Sequence, residues 1–114
     1  MKICFNFQCL AQPKERSRNG VTPIKTRTFE AMIAEAAREQ MGDMKPLEGD
    51  LKVSMYFHAR KHRGDLSNCI KSIEDALNRI AYVDDKQIQI LEAHRMTYDD
   101  GRDQFDVCIE TIDA

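Results

Sequence analysis

Hydrophobic and polar residues alternate at the start of the chain, with Ile3, Phe5 and Phe7 on one side, and this period of two predicts a first strand. The same alternation over residues 51–59 sets Leu51, Val53, Met55, Phe57 and Ala59 against Lys52, Ser54, Tyr56 and His58, the cleanest strand pattern in the chain. Between the two the period changes. Phe29, Met32, Ile33, Ala36 and Ala37 form one stripe at helical spacing, which predicts a helix over 29–41, capped by Thr28 and stopped near Gly42. A second stripe of Ile70, Ile73, Leu77 and Ile80 predicts a helix from about Ser67 to Ile80. Strands are expected over 86–97 and 104–112, the second with Phe105, Val107 and Ile109 alternating, and D-D-G-R-D between them reads as a hairpin. The order β-α-β-α-β-β predicts an α/β (α+β) fold, a single domain over 1–114 with a mixed sheet packed with two helices.

Composition changes this picture little. With 42% hydrophobic and 32% charged residues over 114 positions, the chain has the make-up of an ordinary globular domain. No apolar run approaches the ~20 residues of a membrane span. The N-terminal stretch is short and interrupted by Asn6 and Gln8, unlike a secretion signal, so a cytoplasmic location is expected. Cysteines at 4, 9, 69 and 108 form no C-x-x-C pair, and a structural or incidental role fits them better than zinc.

Charge is more informative. Residues 1–63 carry 12 Lys and Arg against 7 Asp and Glu, whereas residues 64–114 carry 5 against 12. Residues 12–27 read as a loop or a loose hairpin, with two prolines and an Asn19-Gly20 turn signal, and its Lys14, Arg16, Arg18, Lys25 and Arg27 are spaced to lie along a phosphate backbone. A second basic cluster, Arg60, Lys61 and Arg63, runs directly into Asp65. Asp65 stands at the mouth of the second helix, where Asn68, Lys71 and Asp75 share a polar face at spacings of three and four, and Asp84 and Asp85 follow the helix. Each acid alone has an ordinary explanation: a helix cap for Asp65, an i, i+4 pair for Asp75 with Lys71, a solvated turn for Asp84 and Asp85. Carboxylates at both ends of one short helix, behind two basic segments, suggest instead a hard divalent ion facing a polyanion, the chemistry of a magnesium-dependent DNA endonuclease.

These residues resemble the RusA family of Holliday junction resolvases, small enzymes often carried on prophages. The family's D-x-D-N, following Lys, D-A-L, aromatic and D-D-x-Q-[VI] are similar to Asp65-Leu66-Ser67-Asn68, Lys71, Asp75-Ala76-Leu77, Tyr82 and Asp84-Asp85-Lys86-Gln87-Ile88. Its basic loop before a Thr-Pro resembles Lys14 to Arg18 and Thr22-Pro23. The resemblance implies a homodimer that binds branched DNA and nicks two strands of a four-way junction with magnesium, or manganese in its place. It implies Asp65 and Asp85 as metal-binding catalytic acids, Lys71 as a phosphate or transition-state contact, Asn68 as a supporting polar group, and Asp75 and Asp84 as further metal candidates. Arg16, Arg18, Arg60, Lys61 and Arg63, with Lys14 and Lys25, would hold the flanking DNA.

One departure matters: Ser67 stands where the family has a second acid, which brings no charge to a magnesium site. A branched-DNA-binding protein with weakened catalysis is therefore an alternative, as is a flap or non-specific nuclease on the same fold. A helix of about 14 residues spans ~20 Å, so Asp65 and Asp85 can share an ion only if the chain doubles back after Ile80 or a second subunit supplies one end.

Overall fold

The computed structural model describes residues 1–17 and 19–112. Its centre is β2 (Leu51–Ala59), in which every second residue, from Leu51 to Ala59, is buried. Antiparallel to it runs β4 (Gln104–Thr111), and β4 in turn pairs antiparallel with β1 (Lys2–Phe7). On the other side of β2 lies β3 (Ile88–Thr97), parallel to it, giving the order β1-β4-β2-β3. The sheet is mixed, as the pattern predicts. Phe5, Phe7, Phe57 and Phe105 meet on its inner face, with Phe105 stacked on Phe7 at 4.8 Å between ring centroids.

Two helices cover that face: α1 (Ile24–Met41) through Thr26, Phe29, Ile33, Ala37 and Met41, and α2 (Leu66–Leu77) through Cys69, Ser72, Ile73, Ala76 and Leu77. α1 starts earlier than the Thr28 cap predicts. Pro23 holds the cap position, its carbonyl accepting from the Arg27 amide, and Thr26 is buried in the first turn with its hydroxyl accepting the Glu15 amide. α2 starts at Leu66, capped by Asp65, and stops at Leu77, short of the expected Ile80. Beyond it Arg79 adopts a left-handed φ of 69°, its amide donating to the Tyr82 carbonyl, and Ile80 packs on the core from the turn.

The expected hairpin between the last two strands does not form, because β2 lies between them. The reason is visible in the side chains: β4 alternates with a fully buried face and belongs inside the sheet, whereas β3 is exposed along most of its length and belongs at an edge. Helix α2 is the crossover that parallel pairing of β2 and β3 requires. Residues 98–103 then carry the chain past the end of β2.

Cys4 and Cys108 occupy directly opposed positions of β1 and β4 and form a disulfide. Cys9 and Cys69 are free thiols. No described helix is long and apolar enough to cross a membrane.

Candidate functional site

The chain does double back after α2. Residues 78–84 turn over the C-terminal end of the helix, and a short 3-10 helix, Asp85–Gln87, brings Asp85 alongside Lys71, Oδ2 to Nζ 3.7 Å. Gln87 holds this turn: its side-chain oxygen accepts the amides of Val83 and Asp84, and its side-chain nitrogen donates to the carbonyls of Leu47 and Gly49 at 3.0 and 2.9 Å. Tyr82 is buried beneath, donating its hydroxyl to the Glu74 carbonyl at 2.7 Å, and burial pushes its pKa far above the usual tyrosine value. Gln87→Leu should therefore cost about 1–3 kcal/mol through carbonyls and amides left without partners, read as a lowered urea midpoint with Asp85 displaced. An unchanged midpoint would remove Gln87 from this role.

Asp84 caps the 3-10 helix. Its carboxylate accepts the Lys86 amide at 2.9 Å, which, with Lys86 and Arg79 nearby, keeps its pKa below the ordinary range. Asp65 is the N-cap of α2, Oδ1 accepting the Asn68 amide at 2.8 Å and Oδ2 the Asn68 side-chain amide at 3.3 Å. From Asp65 a polar face runs down the helix through the exposed Asn68 and Lys71 to the half-buried Asp75. Lys71 contacts Asp75 Oδ1 at 3.2 Å, and this hydrogen bond raises its pKa against a smaller opposing effect of burial. Glu74 moves the other way from a typical acid: burial raises its pKa.

Both basic segments arrive at the N-terminal half of α2. The first is pinned there by the Lys14 amide donating to the Asn68 carbonyl at 2.9 Å and by Ser72 Oγ donating to the Gln12 carbonyl at 2.6 Å. The second packs on the first at Gly64, whose φ is +62° and where an added Cβ would lie 2.6 Å from Pro13. That second loop is also tied to β3: Arg95 donates to the Arg63 carbonyl at 3.0 Å, and the His62 ring meets the Met96 carbonyl at 3.0 Å.

Arg16, Lys25, Arg60, Lys61 and Arg63 are exposed and form no ion pair among the described residues. Lys14 differs from them, since its ammonium sits between Glu30 and Asp75. Arg18 lies outside the described residues. Spacing alone marks neither Gln87 nor Arg95. Gln87 stands within the D-D-x-Q pattern, but nothing local marks Arg95, which acts across a strand pairing.

Asp65, Asp84 and Asp85 offer hard oxygen donors suited to magnesium, yet no three His, Cys, Asp or Glu side chains among the described residues converge to hold an ion. Such a donor set fits an open site, in which one or two carboxylates bind and water and phosphate oxygens complete the shell.

A family model described as Endodeoxyribonuclease RusA matches residues 7–109. The chain belongs to the RusA family, and its family activity is endonucleolytic cleavage of DNA. A search of curated proteins found no match.

Proposed function

We propose that this protein is a divalent-metal-dependent endodeoxyribonuclease that resolves four-way DNA junctions by paired nicks, acting as a homodimer in recombination and repair. The observation that carries the reading is the meeting, at one helix, of two exposed basic segments with the face of Asp65, Asn68, Lys71 and Asp85, in a chain of this family. Arg16, Lys25, Arg60, Lys61 and Arg63 anchor phosphates on either side of the cut. Asp65 and Asp85 would hold magnesium, or manganese in its place, with Asp84 beside them, whereas both oxygens of Asp75 are taken by Lys14 and Lys71. The ion supplies Lewis-acid polarisation of the phosphate and a water of lowered pKa. Lys71, exposed and next to Asp85, offsets negative charge on the phosphate as it is attacked. A two-fold dimer matches the approximate two-fold symmetry of a junction. The sheet face opposite the helices supports such pairing: there Tyr56 stacks on His94 and His58 on Tyr98, with Ile90 exposed on the same edge strand.

A second reading, a branched-DNA binder with disabled chemistry, is favoured by Ser67 and by the lack of three converging acids among the described residues. Cleavage of a labelled four-way junction and a matched duplex, each with magnesium, manganese or chelator, separates the two. Symmetric metal-dependent nicking of the junction supports the first reading, and tight binding without nicking the second. Junction affinity should fall steeply with salt, by roughly 0.9 in log–log slope for each phosphate neutralised. A flat salt dependence would remove the basic segments from the interface.

A further inference from the structure

Lys14, in the first basic segment, bonds to both helices. Its amide donates to the Asn68 carbonyl of α2 at 2.9 Å, and its ammonium pairs with Glu30 of α1 and with Asp75 Oδ2 of α2, the latter at 2.9 Å. Asp75 is thereby divided, Oδ2 to Lys14 and Oδ1 to Lys71 at 3.2 Å, and Lys71 reaches on to Asp85 at 3.7 Å. The result is an unbroken line of alternating charge, Glu30, Lys14, Asp75, Lys71 and Asp85, from the first helix to the turn that carries the second acid. About three-quarters of the Lys14 and Asp75 side chains is buried, whereas the Lys71 side chain is 53% exposed.

From this geometry we propose that Lys14 is a positioning residue rather than a DNA contact: it occupies Asp75 from the α1 side, so that Lys71 stays available to Asp85 and to an incoming phosphate. The inference rests on the reading of Lys71 as the phosphate contact. Without Lys14, both oxygens of a half-buried Asp75 compete for the single ammonium of Lys71, and unpaired Glu30 adds negative charge beside them. Lys71 is then drawn down the helix and away from the substrate. Because burial of Lys14 is outweighed by its two carboxylate partners, its pKa is raised. A raised lysine pKa gives stability that is present throughout the neutral range and is lost only as pH rises beyond the ordinary lysine value.

Lys14→Met keeps the length of the stem and removes the charge. In single-turnover nicking of a four-way junction at saturating protein, it should slow the cut by about tenfold or more, with the Kd for the junction and its salt slope unchanged. Adding Asp75→Asn to the same protein should restore most of the rate, because the competing carboxylate is gone. A merely structural strut predicts the opposite, a double variant no better than the single. That result would overturn the proposal, as would a salt slope reduced by about one, the mark of a lost phosphate contact.

Reductive methylation of the unmutated protein, read by mass spectrometry, tests the same arrangement without any cleavage. Lys14 should be modified several-fold more slowly than Lys25, and Asp75→Asn should raise its rate. Equal rates at Lys14 and Lys25 would sink the proposal even if Lys14→Met failed to fold. Absence of junction nicking by the unmutated protein would instead count against the proposed function, leaving the labelling result to decide the placement of Lys14.

Discussion

Asp65→Asn is expected to abolish junction nicking while leaving the fold and junction binding in place. Asp65 does two jobs that are usually hard to separate. As N-cap of α2 it accepts the Asn68 amide, and as an exposed carboxylate it contributes charge where the two basic loops converge. Asparagine caps a helix about as well as aspartate, so its side-chain oxygen can keep the hydrogen bond while the negative charge is lost. The thermal midpoint should therefore barely move. The nicking rate should fall at least about a hundredfold, the scale on which a single preorganised electrostatic group acts at a reacting centre. Single-turnover cleavage, junction binding and a melting curve on the same preparation check all three parts. A variant that melts early and loses binding would show that Asp65 serves the helix alone, and one that nicks normally would remove it from the chemistry.

The second large effect concerns stability. Cys4 and Cys108 face each other across β1 and β4 and are 104 residues apart in the chain, so their bridge closes almost the whole polypeptide into one loop. Constraining an unfolded chain over so long a loop is worth about 2–4 kcal/mol, and more on a purely entropic account. Oxidised protein should thus unfold at a clearly higher urea concentration than reduced protein, and a Cys4→Ser, Cys108→Ser double variant should behave like the reduced form under both conditions. The stabilisation is realised only where thiols are kept oxidised. If the oxidised protein and the double variant share one midpoint, the bridge contributes nothing to the fold.

Much of the architecture can be read from local pattern. The alternation in residues 51–59 and 104–112 survives in β2 and β4 because a strand with one buried face has only one acceptable side-chain phase. The stripe of Ile70, Ile73 and Leu77 places α2 for the same kind of reason. Errors gather at the boundaries and the pairings. Thr28 carries a capping side chain, but Pro23 with its restricted φ starts α1 five residues earlier in the chain. D-D-G-R-D has the residues of a hairpin turn, yet turn chemistry cannot say whether a third strand will lie between the two it joins. The cysteines show the same limit, since no spacing in the sequence marks 4 and 108 as opposed.

The elements, the two basic segments, the one-domain organisation and the family to which the motif from Asp65 to Ile88 points can all be read along the chain. These are properties of short windows, where side-chain period, capping chemistry and charge act within a few residues of one another. Long-range packing is what makes β3 an edge strand parallel to β2, folds Asp85 back onto Lys71 through Gln87, and pairs Lys14 with Glu30 and Asp75 instead of leaving it with the exposed cations. Each depends on the meeting of segments 14 to 61 residues apart, and such meetings are fixed by the packing of a whole core, not by any window of the chain.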